Sequence, residues 1–117
     1  MTPFGQNLRN LRTKHNTSQK ELAKVLGVSP AYLSALERGN RGIPSVEILE
    51  RICRHFNIIW EEAENLQKSA LLSDPKISIN TSNLDNPSAT KLANILAKKI
   101  HTLSPEQINK ILDIIND

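Results

Sequence analysis

The chain has 117 residues, a formal net charge of +3 and a 38% hydrophobic share, which leaves room for one ordinary domain or a small domain with an appendage. No apolar run approaches the ~18–20 residues that span a bilayer, and Met1 is not followed by a charged-then-apolar leader. With Cys53 alone and no disulfide framework, a protein of the reducing cytoplasm with no membrane attachment is expected.

The charge is unevenly placed. Residues 1–60 hold nine Lys and Arg against four acids, and residues 61–117 hold six against eight. A basic half suits a polyanionic partner.

Thr2-Pro3 predicts a helix start, with a capping hydroxyl and a proline at the first helical position. Phe4, Leu8 and Leu11 continue it at helical spacing to about His15-Asn16. Ser18 and Glu21 have the spacing of a capping box, in which each side chain satisfies a backbone N–H of the other. That second helix closes at Gly27. Ser29-Pro30 opens a third, which ends at Gly39.

Within Gln19–Arg38, two short amphipathic segments meet at Leu-Gly-Val-Ser. Two helices crossing steeply through so short a turn need a small residue at the close approach, supplied by Ala23, and a left-handed one at the corner, supplied by Gly27. Leu22, Leu26, Val28, Leu33 and Leu36 are expected to seal the join from the core side.

Asn40–Pro44 is a loop by its Gly and Pro content. Ser45 caps a fourth helix carrying Val46, Leu49, Ile52, Cys53 and Phe56, and a fifth runs from about Ile59 to Leu71. Cys53 and Trp60 are both expected in the core, and Glu61, Glu62 and Glu64 complement the dipole of the fifth helix. Residues 72–86 form a linker in which Ile77 and Ile79 alternate as in a short strand. Asn86-Pro87 and Ser104-Pro105 then start two further helices, the second with a Ser104/Gln107 capping box.

Residues 1–71 resemble the phage-repressor-like, or xenobiotic response element, family of helix-turn-helix transcription regulators. The resemblance runs through FGQNLRNLR, SQKELAKVLGVSPAYLSALERG and IPSVEILERICRHF. The fold class expected is all-α: the resemblance implies a compact five-helix DNA-binding domain over 1–71, and the residue pattern adds the linker over 72–86 and a C-terminal helical hairpin over 87–117. The resemblance also implies a cytoplasmic homodimer on a near-palindromic stretch of double-stranded DNA, with the N-terminal half of the helix Pro30–Arg38 in the major groove.

Several roles carry over by position. Gln19, at a helix N-terminus, would meet a phosphate. Arg12 and Glu37 would form an ion pair tying the first helix to the end of the recognition helix. Lys20, Arg38, Asn40 and Arg41 would contact the DNA backbone.

At 100° per residue, Leu33 and Leu36 set the core side of the recognition helix, with Tyr32 and Glu37 on its flanks. The candidates for base contact are then Ala31, Tyr32, Ser34 and Ala35. They include none of the Gln, Asn or Arg side chains that make bidentate base contacts. Small residues suggest a helix seated deep in the groove, with DNA shape carrying part of the specificity.

His15, His55, His101 and Cys53 have no ligand spacing to one another, and no nucleophile stands beside a base and an orienting group. No metal, cofactor or catalytic residue is therefore expected.

In the C-terminal helices, Leu92, Ile95, Leu96 and Ile100 would face Ile108, Ile111, Leu112 and Ile115, with apolar surface left over for a second protomer. A two-fold dimer reading successive major grooves needs its recognition helices roughly 34 Å apart. A transcriptional repressor is the leading expectation. The alternatives are an antitoxin, whose C-terminal third holds a protein partner, and an interaction module that keeps the fold without binding DNA.

Overall fold

The computed structural model describes residues 1–116, and all regular structure among them is helical. In order the elements are α1 (Pro3–Lys14), α2 (Gln19–Leu26), α3 (Pro30–Arg38), α4 (Val46–Phe56), α5 (Trp60–Leu71), α6 (Pro87–Lys99), a 3-10 turn (Ile100–Thr102) and α7 (Pro105–Asn116). Asp117, the last residue of the expected hairpin, lies outside the described residues. The chain forms two compact units, Met1–Ile77 and Ser78–Asp117.

Four of the five helices of the first unit start at a capping hydroxyl. The hydroxyls of Thr2, Ser18, Ser29 and Ser45 accept the N–H groups of Gly5, Glu21, Tyr32 and Ile48 at 3.0–3.2 Å, each satisfying an orphan donor of a first turn. The Ser18/Glu21 capping box is only half made. The Ser18 hydroxyl donates to the Glu21 carboxylate at 3.1 Å, so that carboxylate is engaged by a side chain and not by the backbone N–H of Ser18. At the C-terminal ends, Gly27, Gly39 and Asn57 take left-handed φ of 71°, 85° and 57°, which lets the backbone turn back on the last carbonyls.

The core of the first unit gathers Phe4, Leu8 and Leu11 of α1, Leu22, Ala23 and Leu26 of α2, Leu33 and Leu36 of α3, and Ile48, Leu49 and Ile52 of α4, with contributions from Phe56, Ile58, Leu66 and Ala70. Val28, Tyr32 and Cys53 pack against it half-buried. Trp60 does not join it. Asn57 turns the chain so that Ile58, 6% exposed, fills the corner between α4 and α5, and Trp60, the first residue of α5, is left 84% exposed. Nor do Ile77 and Ile79 form a strand: both are exposed and no second strand exists among the described residues to pair with them.

In the second unit, Asn86 caps α6 through the N–H groups of Ser88 and Ala89. Ser104 and Gln107 complete a reciprocal capping box at α7, with bonds of 2.9 and 3.2 Å. Neither helix contains a buried residue.

Candidate nucleic-acid interface

The geometry around α3 begins with the turn before it. The Val28 N–H reaches the Ala23 carbonyl at 3.0 Å and the Gly27 N–H the Lys24 carbonyl at 3.3 Å, closing α2 in the double-bonded manner that a left-handed residue permits. A third cap comes from a distant helix. Arg51 of α4 donates through Nη1 to the Leu26 carbonyl at 2.8 Å. Its only local signature is a cation on the polar side of an amphipathic helix.

Along α3, Leu33, Leu36 and Glu37 are buried, Tyr32, Ser34 and Ala35 are half-buried, and Ala31 and Arg38 are exposed. Lys20, Asn40 and Arg41 are exposed and Gln19 is half-buried at the first position of α2. Glu37 therefore belongs to the buried face and not to a flank. At 100° per residue it lies close to Leu33 on the helix wheel, and α1 packs across that side of α3.

Burying a carboxylate demands full compensation, and Glu37, at 0% exposure, has it. Arg12 donates through Nε to Oε2 and through Nη2 to Oε1, both at 2.8 Å, in the bidentate arrangement that a planar guanidinium favours. The third branch of the guanidinium, Nη1, donates to the Thr17 carbonyl at 3.2 Å. One side chain thus joins α1, the α1–α2 connection and α3. Arg9 adds a looser ion pair to Oε1 at 3.8 Å.

The backbone of α3 is approached as closely as its carboxylate. Gly5 in α1 lies so near Glu37 that a Cβ there would stand 2.0 Å from the Glu37 carbonyl oxygen. Gly39 likewise faces Thr2, whose Cγ2 would be 2.6 Å from an added Cβ. Gly5 carries no left-handed backbone and sits mid-pattern in α1, so only the packed structure identifies it.

Beyond α3 the Asn40 N–H bonds the Ala35 carbonyl at 2.9 Å, folding the loop back along the helix. Arg41 then lies over the Tyr32 ring, its guanidinium carbon 5.4 Å from the centroid. Away from this face, burial pushes the Cys53 thiol above its ordinary pKa, with repulsion from Glu62 adding to the effect.

A helix-turn-helix family model matches residues 8–59. The antitoxin PezA of Streptococcus pneumoniae is 37% identical over 57 residues, covering 49% of this chain and 35% of that protein. The HTH-type transcriptional repressor RghR of Bacillus subtilis is 34% identical over 61 residues, 52% of this chain and 45% of that one. The uncharacterized HTH-type transcriptional regulator YazB of Bacillus subtilis is 36% identical over 59 residues, half of this chain and 84% of that one. This chain spans only 35–45% of the length of the first curated relatives it matches.

Proposed function

The chain belongs to the helix-turn-helix family of transcriptional regulators, and from that premise we propose that it binds double-stranded DNA as a homodimer and represses transcription by occupying a promoter. In this reading α3 enters the major groove and presents Ala31, Tyr32, Ser34 and Ala35 to the base edges. Gln19, Lys20, Arg38, Asn40 and Arg41 hold the sugar-phosphate backbone, and the protein acts by binding, without catalysis or a cofactor. The observation that carries the proposal is the state of α3: its buried side is fixed by Arg12 and Gly5, while Ala31 and Arg38 face outward uncovered.

Selecting bound sequences from a random duplex pool tests this. Enrichment of two half-sites related by a two-fold axis, one helical turn apart, is the expected result. Failure to retain any duplex at low salt would overturn it.

The dimer is assigned to α6 and α7. Leu92, Ile95, Ile100, Ile108, Leu112 and Ile115 are between 36% and 68% exposed and Leu96 and Ile111 are half-buried, apolar side chains that a second protomer would cover. Double substitution Ile108→Glu and Leu112→Glu should convert a dimer to a monomer in sedimentation. A wild-type chain that is monomeric at micromolar concentration while binding a two-fold site cooperatively would sink the assignment.

The similarity to a protein named as an antitoxin favours one alternative, in which the same apolar helices hold a protein partner and DNA binding is autoregulatory. Co-purification of a small protein in fixed stoichiometry, released by the same double substitution, would select it. No helix of the described residues is long and apolar enough to cross a membrane, and a cytoplasmic location follows from the proposed role.

A further inference from the structure

The single aromatic ring on α3 carries a cation. The guanidinium carbon of Arg41 is 5.4 Å from the centroid of the Tyr32 ring, inside the ~6 Å range over which the ring face attracts a positive charge. Nine positions separate the two residues, and the loop brings them together because Gly39 takes φ 85° and the Asn40 N–H bonds back to Ala35. Tyr32 packs half-buried against the core, and its N–H is held by the Ser29 hydroxyl at 3.0 Å. No carboxylate lies within ion-pair distance of Arg41 among the described residues, so the guanidinium keeps its donors for an external acceptor.

Direction decides what that acceptor is. With Leu33, Leu36 and Glu37 marking the buried side, Ala31 and Ala35 point outward, and Tyr32 lies about a quarter-turn to one side. A helix about 10–12 Å across nearly fills a major groove about 12 Å wide. A residue on its flank therefore meets the phosphate wall of the groove and not the base edges on its floor. Held over the ring there, a planar guanidinium can grip phosphate oxygens in pairs, which a lysine ammonium cannot.

We infer that Tyr32 is a positioning residue, whose ring holds Arg41 on the flank of α3 as a clamp for one backbone phosphate. This rests on the DNA-binding reading above, and it moves Tyr32 from base contact to support of a phosphate contact. A phosphate clamp is indifferent to sequence, so it can be tested on a mixed-sequence duplex without knowing the operator.

The full chain would be titrated with that duplex between about 50 and 200 mM salt. Arg41→Ala should lower the slope of log K against log salt by about 0.9, the loss of one phosphate contact. Tyr32→Phe, which keeps the ring and drops the hydroxyl, should bind as the wild type does. Tyr32→Leu keeps every charge and an apolar group on the core, and should weaken binding about three-fold through loss of the ring face. In an Arg41→Ala background, Tyr32→Leu should change nothing further.

Arg41→Lys supplies an arm independent of any effect on folding at Tyr32. It should retain the salt slope and lose affinity by a similar factor. If Tyr32→Phe weakens binding as much as Tyr32→Leu, or the Tyr32 and Arg41 losses multiply independently, the clamp is wrong while DNA binding stands. A wild-type chain with no affinity for duplex overturns both.

Discussion

Replacing Gly5 with alanine sets two opposed effects in one side chain. In an exposed helix interior that exchange stabilises by about 0.8–1.0 kcal/mol, because glycine loses more backbone freedom on folding. At Gly5 the new Cβ would stand 2.0 Å from the Glu37 carbonyl oxygen, 2.8 Å from its carbon and 3.0 Å from its Cα. All three are backbone atoms, so no rotamer change gives relief. Restoring an ordinary carbon–oxygen contact of roughly 3.3 Å requires α3 to retreat by more than about 1 Å. The Glu37 carboxylate then moves off Arg12, whose two bonds to it are 2.8 Å long and cease to be hydrogen bonds once stretched past about 3.6 Å. Overpacking of this kind costs about 1–3 kcal/mol, and weakening a charged, buried pair adds about 1.5–3 kcal/mol. The helix-propensity gain is smaller than either. A net loss of about 2–4 kcal/mol corresponds, for a unit of this size, to a melting temperature about 10–25 °C lower. Far-UV circular dichroism melting of the full chain reads this directly, with Gln6→Ala, its exposed neighbour on α1, as the control for helix propensity. If Gly5→Ala melts at or above the wild type, the close packing of α1 on α3 is refuted, along with the anchoring argument built on it.

Other substitutions separate the remaining forces. Arg12→Ala leaves the Glu37 carboxylate buried without its bidentate partner and should cost about 3–5 kcal/mol in urea denaturation; Arg12→Met with Glu37→Leu, removing both charges together, should recover most of it. Gly27→Ala meets nothing closer than the Arg51 Nη1 at 3.5 Å, so its cost is that of the left-handed backbone alone, about 1–2 kcal/mol, and Gly27→Asn should lose less in the same measurement. Cys53 binds its proton more tightly in the folded chain because burial and Glu62 raise its pKa. Its contribution to stability is therefore complete below the unfolded thiol's pKa and is lost as pH rises from there through the folded value. Denaturation in alkaline buffers should show that loss, Cys53→Ser should flatten it, and alkylation of the native thiol should stay slow until the pH exceeds the ordinary cysteine range.

Much of the first unit was legible because its signals are local. A hydroxyl before a proline, a glycine at the end of an amphipathic run and leucines three and four apart each depend on neighbours in the chain, and α1 to α5 follow them closely. What escaped depends on residues far apart in sequence. Gly5 matters because of Glu37, Arg51 because of the Leu26 carbonyl, and Ser73 because its buried hydroxyl accepts the Phe4 N–H at 2.9 Å across 69 positions. Trp60 failed for a related reason. Expected in the core, it follows a left-handed Asn57 and a buried Ile58, and stays exposed. The placing of Glu37 on a flank took the width of the buried face from two leucines, and α1 makes that face wider. In α6 and α7 the period marks which side is apolar without saying what covers it.

The contacts that fix α3 are not spread along it. Gly5 abuts the Glu37 carbonyl, Arg12 grips the Glu37 carboxylate and Gly39 meets Thr2, so α1 holds α3 by its last turn. The first turn is positioned through the short link at Gly27 and by Leu33 in the core, which leaves Ala31 exposed and Ser34 and Ala35 half-buried beside it. A helix anchored at its C-terminal end and thin at its N-terminal end is suited to lying in the groove with its N-terminal residues at the base edges, bulk and charge being kept to the flank and the loop. On that division of labour, replacing Ala31 with a larger polar residue should alter which duplexes are selected without lowering the melting temperature. Replacing Gly5 or Arg12 should lower the melting temperature and weaken all duplexes alike. Selection and melting applied to both classes of variant would separate what α3 reads from what holds it in place, and a change of selected sequence in Gly5→Ala would contradict the separation.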